Sequence, residues 1–193
     1  MRNFVPQKAR LVPAEAERVF TGVIYQVFQW QQLMFDGSYA TFEMLKRPDT
    51  VKVLAVHEDN LIILHQEQPS YEPFYDLPGG RHDYENETEL EAAQRETLEE
   101  TGMIFENWKL VSAVQTFSNI ESFLYIFTAC DLKSQGAQKL DPGERIEITP
   151  MTFKAVKELG GHAETRFMPT SIFDEASSIK ELLELPDISK SKA

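Results

Sequence analysis

The chain has 193 residues, 42% of them hydrophobic and 11% aromatic, which is enough for one sizeable buried core and argues against a second full domain. Its formal net charge is −12, with 31 acidic residues against 19 basic ones, and no cluster of lysine or arginine interrupts this bias. Such a field repels nucleic-acid phosphates, so we expect no DNA or RNA partner.

The apolar segments and the cysteine content indicate in which cellular compartment the protein is expected. The longest apolar runs, such as Phe123–Cys130, have the length of a strand and are far too short to span a membrane. The first residues lack the apolar stretch of a secretory signal. Cys130 is the only cysteine, which excludes an internal disulfide and favours a reducing environment. We therefore expect a cytoplasmic protein with no membrane partner.

The first 45 residues predict an arm that ends in a β-hairpin. After an irregular start, Phe20–Met34 is rich in β-branched and aromatic residues and predicts a strand. Asp36-Gly37 is a favoured hairpin turn, and Tyr39–Leu45 resumes the strand pattern. We assign residues 1–45 to this arm and residues 46–193 to the main domain, and we expect the aromatic hairpin to pack on a second subunit.

The main domain begins with a β-rich pair, Val51–Val56 and Leu61–Leu64, and continues into a loop rich in proline and glycine. A charged helix is then predicted from about Thr88 to Thr101, and Gly102 ends it. The remaining predicted elements are strands at Trp108–Phe117, Phe123–Cys130 and Arg145–Ile148, and helices at Phe153–Leu159 and Ile172–Leu185. This order predicts a layered α/β domain.

The charged helix carries carboxylates at a spacing that points to metal binding. Glu96, Glu99 and Glu100 stand at positions i, i+3 and i+4, so they project from one side of the helix. The adjoining side carries small or apolar residues suited to packing under a sheet: Leu90, Ala93, Thr97 and Thr101. Like charges at this spacing cost about 0.2–0.5 kcal/mol per pair on a free helix. Such a stack of carboxylates is either well solvated or holds cations, and Mg²⁺ prefers carboxylate and carbonyl oxygens.

Neighbouring residues suit the same chemistry. Arg95 is placed to fix the carboxylate rotamers by bidentate hydrogen bonds. Gly79 and Gly80 let the backbone approach the site, offering a carbonyl ligand or room for phosphate.

These residues form a segment that resembles the Nudix box. Gly80 through Glu87, then seven residues, then Arg95-Glu96-Thr97-Leu98-Glu99-Glu100-Thr101-Gly102-Met103 is similar to that family's pattern. Six residues rather than five separate Gly80 from Glu87, and Thr97 stands at an apolar position; the extra residue should alter the loop more than the helix.

The resemblance implies a Nudix fold, an α/β/α sandwich around a mixed sheet, with Mg²⁺ as the cofactor and Mn²⁺ as an alternative. It implies metal ligation by Glu96, Glu99 and Glu100, with Glu87 and the Gly79 carbonyl as weaker candidates.

Residues 18 to 160 also resemble the ADP-ribose pyrophosphatase group of that family, notably in the run from Phe42 to Val51. This resemblance implies a homodimer in which arm residues help to hold the substrate adenine. Phe28 and Trp30 are candidates for stacking on that adenine, or they are ordinary aromatic residues of a core or interface. We expect Gly80 and Arg81 of the box loop to contact the substrate as well.

The implied reaction is in-line attack of an activated water on one phosphorus of a diphosphate, with Glu96, Glu99 and Arg95 in the catalytic set. The general base should sit on a mobile loop opposite the box. Glu121 is the first choice by position, and Glu144 and Glu147 come next.

Three functions remain open from the sequence. The leading one is hydrolysis of ADP-ribose to AMP and ribose 5-phosphate. The second is hydrolysis of a sugar nucleotide, a dinucleotide or another nucleoside diphosphate derivative. The third is a non-catalytic nucleotide sensor, which the intact set of glutamates disfavours.

Overall fold

A computed structural model describes residues 2–160, 162–166 and 168–190. Strands in these stretches are β1 (Glu17–Thr21), β2 (Gln26–Leu33), β3 (Tyr39–Lys46), β4 (Asp49–His57), β5 (Asn60–Gln68), β6 (Tyr71–Asp76), β7 (Arg81–His82), β8 (Met103–Gln115), β9 (Ile120–Glu121), β10 (Phe123–Gln135) and β11 (Arg145–Met151). The helices are α1 (Glu89–Thr101), α2 (Phe153–Leu159), α3 (Thr170–Glu175), α4 (Ile179–Glu184) and a 3₁₀ turn at Ile188–Lys190. None of these helices is both long and apolar enough to cross a membrane.

The strands form two sheets. The larger sheet has the order β11-β5-β4-β10-β8, with β6 added on β5 and β7 on β4. It is mixed, because β4 and β10 run parallel while β10 and β8 run antiparallel. The smaller sheet has the order β1-β2-β3-β9 and contains the predicted arm together with a short strand from the main domain.

Helices cover both faces of the larger sheet. Alternate residues of β4 point to opposite sides, as the two-residue period of a strand requires. Val51 and Val53 pack in the core cluster that holds Ala92 and Ala93 of α1. Leu54 packs in the other cluster with residues of α2, α3 and α4. The predicted α/β/α sandwich around a mixed sheet is therefore confirmed.

Helix α1 has strong start and stop signals. The Thr88 side chain accepts from the Glu91 N–H, and the Glu91 carboxylate accepts from the Thr88 N–H, so the two residues form a capping box. The Gly102 N–H donates to the Leu98 carbonyl at the other end. On the buried side Ala93, Thr97 and Thr101 are almost fully covered, as predicted, but Leu90 is exposed.

Several predicted boundaries were wrong, for local reasons. Phe20–Met34 is two strands rather than one, because the chain turns between Gly22 and Tyr25 and β1 pairs back onto β2. The predicted helix Ile172–Leu185 is interrupted, because Ser178 caps a new helix by accepting from the Glu181 N–H. The proline-rich loop contains β6, whose place at the side of β5 lets it include Pro73.

The N-terminal segment is tied to the main domain by charged hydrogen bonds. Arg2 donates from Nε and Nη2 to both carboxylate oxygens of Asp49, at 2.6 and 2.9 Å. The N–H groups of Asn3 and Phe4 donate to the buried Glu89 at the start of α1, at 2.6 and 3.1 Å. The first residues thus contact the helix that carries the candidate site. The division of the chain at residues 45 and 46 stays a prediction.

Candidate active site

Arg95 holds three carboxylates at the centre of the site. Its Nε and Nη2 donate to the two oxygens of Glu87, at 2.7 and 3.2 Å. Its Nη1 donates to Glu96 Oε1 at 2.8 Å and to Glu99 Oε2 at 3.1 Å. The guanidinium also lies 4.2 Å from the centroid of the Tyr84 ring. The predicted role of Arg95 in fixing its neighbours corresponds to this geometry, in which one fork of donors spans the box loop and the helix.

The glycine loop, Pro78-Gly79-Gly80, contacts helix α1 directly. The Gly79 N–H donates to Glu100 Oε2 at 2.7 Å. At Gly80 a Cβ atom would lie 2.5 Å from Glu96 Oε2, so any larger residue would collide with that carboxylate. Gly79 has φ +136°, and a Cβ there would lie 2.1 Å from the Val51 carbonyl oxygen. Glycine is required at Gly79 by backbone conformation and by close approach to β4, whereas a side chain at Gly80 would displace the Glu96 carboxylate.

These residues line a cavity of about 610 Å³, a volume suited to a nucleotide-sized ligand. Its carboxylates include Glu96, Glu100 and Glu144. Its lining also contains Gly79, Gly80 and four basic residues, namely Arg47, Lys52, Arg81 and Arg166. The predicted contributors Gly80 and Arg81 are thus brought to the cavity, whereas Glu99 and Glu87, which are bound to Arg95, are not among its described lining residues.

Burial and mutual repulsion raise the pKa of these carboxyl groups. The pKa of Glu100 lies well above its ordinary value, first because the group is buried and also because Glu96 and Glu144 are near. Burial likewise raises the pKa of Glu96, against the opposing effect of Arg95, and Glu99 adds to the rise. Burial is also the main cause of the raised pKa of Glu144, with Asp141 and Glu99 contributing. Burial, with a smaller contribution from neighbouring carboxylates, therefore disfavours the charged form of these groups.

This donor set fits a hard divalent cation by its chemistry. Carboxylate oxygens that repel one another gain from a shared Mg²⁺. Among the described residues, no three side chains of His, Cys, Asp or Glu already stand at metal-binding distance from a common point. The reason is visible in the hydrogen bonds, since Arg95 occupies oxygens of Glu96 and Glu99 while the Gly79 N–H occupies Glu100. A cation at this site would compete with these hydrogen bonds for the carboxylate oxygens.

Glu121 is in a different environment from the one that the sequence suggested. It lies in β9 and is buried, not on a mobile loop. Its Oε1 accepts from Arg2 at 2.8 Å and from Lys46 at 2.7 Å, and its Oε2 accepts from the Val12 N–H at 2.6 Å. Although burial alone would raise its pKa, these hydrogen bonds outweigh burial and lower it. These contacts favour a structural role for Glu121, whose choice as general base stays a prediction.

The two aromatic candidates lie in the arm. Phe28 and Trp30 are half-buried neighbours on one face of β2, and the Trp30 ring is 6.0 Å from that of Phe42. Neither is among the described residues that line the cavity of their own chain. Their role in substrate binding stays a prediction that depends on a second subunit.

Two cavity residues escaped the sequence reasoning. The Nε of Arg47 is buried without a hydrogen-bond partner among the described residues, and Nη2 makes only a 3.4 Å contact with Thr50 Oγ1. Arg166 lies 4.3 Å from the Tyr71 ring centroid, on a segment that pairs with β6 through Tyr75. No local pattern marks Arg166, because the pairing that positions it joins residues 90 apart in the chain.

A third unanticipated residue, Lys52, left a signal in the sequence. It is a charged residue inside the otherwise apolar run Val51–Val56, and lysine is almost never buried without a partner. In the structure its ammonium group bonds to the buried Asp76 at 2.7 Å. A buried acidic partner for Lys52 could have been expected from that pattern alone.

Comparison with known proteins agrees with this geometry. A family model described as NUDIX domain matches residues 46–170, well over half of the chain. The chain belongs to the Nudix family. It is 24% identical over 172 residues to a protein named ADP-ribose pyrophosphatase from Bacillus subtilis (strain 168), covering 87% of this chain and 92% of that one.

A solved structure titled "Crystal structure of ADP compounds hydrolase" has the same fold. Its TM-score is 0.64 at 20% identity, over 88% of this chain and 89% of that chain. The predictions of a Nudix fold and of a Nudix pyrophosphohydrolase that resembles the ADP-ribose pyrophosphatase group are confirmed.

A substitution of Glu121 separates a structural role from a catalytic one. We expect Glu121→Gln to lower the free energy of unfolding by about 2 kcal/mol, because Arg2 and Lys46 lose a buried charged partner. Urea unfolding measures this loss. Glu147→Gln, at an exposed carboxylate, should change stability by less than about 0.5 kcal/mol. Unchanged stability together with abolished turnover in Glu121→Gln would instead assign it to catalysis.

Proposed function

We propose that the protein hydrolyses the pyrophosphate bond of ADP-ribose to give AMP and ribose 5-phosphate, with Mg²⁺ as its cofactor and Mn²⁺ able to replace it. The observation that carries the proposal is the cavity lined by the glycine loop, Glu96 and Glu100. In it the two carboxylates lie directly against the backbone of Gly79 and Gly80. The similarity to a protein named ADP-ribose pyrophosphatase extends over 87% of the chain and supports the choice of substrate.

Glu96, Glu99 and Glu100 are the proposed metal ligands, with Glu87 as a weaker candidate. Bound divalent ions would supply charge neutralisation for the diphosphate and would lower the pKa of an attacking water. The helix provides the spacing that lets the three carboxylates converge. Arg95 is a positioning residue, because its guanidinium fixes Glu87, Glu96 and Glu99 relative to one another.

Glu144 is the proposed general base in place of Glu121. It is half-buried, lines the same cavity as Glu96 and Glu100, and lies on the loop before β11. Its raised pKa, due first to burial, brings the group nearer to neutral pH, where a base works best. Glu147 is exposed and is not among the described residues that line the cavity.

Basic residues of the cavity are suited to the substrate phosphates. Arg47 combines a buried, unpartnered Nε with a place in the lining, so an incoming anion would satisfy a donor that lacks a partner among the described residues. Arg81 and the backbone at Gly80 complete the proposed phosphate contacts. Phe28 and Trp30 remain the proposed stacking partners of adenine across a subunit interface.

We also propose a homodimer formed through the smaller sheet. That sheet and its turns expose many large apolar side chains, including Phe20, Val23, Leu33, Phe35 and Tyr39. An exposed apolar surface of this kind marks an interaction site. A second copy of the chain is the partner that fits, with the cytoplasm as the proposed compartment, in keeping with the single cysteine.

Turnover tests the proposed reaction. We expect Mg²⁺-dependent release of AMP and ribose 5-phosphate from ADP-ribose, and a loss of at least about a hundredfold in kcat for Glu100→Gln, because a charged ligand disappears. Product analysis by chromatography gives the rate, and chelation of divalent ions should abolish it. Circular dichroism of the variant shows whether the fold survives.

The same assay distinguishes the other functions. Faster turnover of sugar nucleotides or dinucleotides than of ADP-ribose would transfer the proposal to those substrates. Tight nucleotide binding with no turnover of any substrate would favour the sensor. Near-normal rates in Glu100→Gln would remove the metal-site assignment.

A matched pair of variants tests the general base. We expect Glu144→Gln to lower kcat by about 10²- to 10⁴-fold with a smaller change in KM, because proton transfer is lost while the cavity keeps its shape. Glu147→Gln, three residues further along, should leave kcat within about threefold of the native value. Equal effects of the two substitutions would exclude Glu144 as the base.

Light scattering tests the dimer. We expect a mass twice the 22.1 kDa of one chain. Phe20→Asp should shift the protein to the monomer, because it places a charge in the proposed apolar interface. Ile104→Asp, at an exposed apolar residue of β8, serves as the control and should leave the mass unchanged. A native mass of one chain would overturn the proposal.

A further inference from the structure

Lys52 is a buried lysine in the middle of the central strand β4. Its exposed fraction is 4%, and the flanking Val51 and Val53 are fully covered. A lysine stem normally carries its ammonium group out to water, and a buried one needs compensating partners. Lys52 instead directs its charge into the wall of the acidic cavity. The compensation must therefore come from that wall.

Three acceptors surround the ammonium group. Its Nζ lies 2.7 Å from Asp76 Oδ2, 3.1 Å from the Leu77 carbonyl oxygen and 3.2 Å from the Gly79 carbonyl oxygen. An ammonium group has three donors, and these three acceptors among the described residues are enough to satisfy them. Asp76 is itself fixed, because its Oδ1 accepts from the Leu77 N–H at 2.7 Å. Lys52 is thus bound at a defined point rather than mobile.

That point belongs to the candidate metal site. The Gly79 carbonyl is one of its possible ligands, and the N–H of the same residue binds Glu100. Lys52 lines the same cavity as Glu96, Glu100 and Glu144, so its positive charge attracts these carboxylates. Lys52 therefore already supplies, from inside the chain, part of the neutralisation that a divalent ion would supply.

We propose that Lys52 is a built-in cation of the metal site: its ammonium group takes the position of one divalent ion at the Gly79 carbonyl, and the divalent ions that bind are held by the helix carboxylates without that carbonyl. This inference rests on the metal site of the proposed function. Its physical basis is repulsion, since an ammonium group and a divalent ion on one carbonyl oxygen would bring like charges together in a buried region.

The test measures how many divalent ions bind to a variant in which Lys52 and Asp76 are both replaced by uncharged residues. In Lys52→Met with Asp76→Asn, the charge and its partner are removed together, so no buried carboxylate is left unpaired. Asp76→Asn alone keeps the ammonium group and is the matched control. With Mn²⁺ as the probe and electron paramagnetic resonance as the readout, we expect the double variant to bind one more Mn²⁺ per chain than the control, or to bind Mn²⁺ at least tenfold more tightly. Equal numbers and affinities would overturn the proposal.

A second measurement on the native protein does not depend on the folding of any variant. The ¹⁵Nζ signal of Lys52, assigned by its absence in Lys52→Arg, should persist when Mg²⁺ is added to saturation, because the ammonium group keeps its three acceptors. A signal that disappears or moves to the position of solvated lysines would show that Mg²⁺ displaces it, and the proposal would fail. Neither experiment uses substrate, so its failure is distinguishable from a failure of the proposed hydrolysis.

Discussion

The site depends on one electrostatic constraint: the repulsion between several neighbouring carboxylates on one helix must be offset. Arg95 meets this constraint by donating to Glu87, Glu96 and Glu99 at once. Glu100, on the buried side, accepts from the Gly79 N–H and is attracted by the charge of Lys52, and both effects oppose the burial that raises its pKa. The helix therefore carries its acidic face in a form that is stable in the protein alone and remains available for exchange with cations.

The glycine loop makes this arrangement possible because its backbone lies between β4 and α1, where a side chain would collide with either element. A Cβ at Gly80 would overlap the Glu96 carboxylate, and one at Gly79 would overlap β4. The loop is held from the other side as well, since the N–H groups of Val51 and Val53 donate to the Gly80 and Pro78 carbonyls. Sheet, loop and helix are thus joined by direct contacts along one wall of the cavity.

The sequence predicted what depends on local pattern. The course of α1, the glycine loop and the spacing of Glu96, Glu99 and Glu100 follow from periodicity and cap residues, and the structure agrees. Prediction from the sequence failed where segments that are distant in the chain come into contact. The contacts of Glu121 could not be foreseen, because its partner Arg2 is 119 residues away in the chain and no periodicity encodes such a pairing. Tertiary contacts, not propensities, decide which carboxylate is free to react.

The bonds from the first residues to Asp49 and Glu89 have a practical consequence for handling the protein. Arg2, Asn3 and Phe4 satisfy buried acidic groups beneath the sheet and at the start of the box helix. Trimming these residues, or attaching an affinity tag that pulls them away, would remove the charged partner of Asp49, which would keep the Phe123 N–H, and would take both backbone donors from Glu89. A tag placed at the opposite terminus avoids this interference with the helix that bears the acidic face.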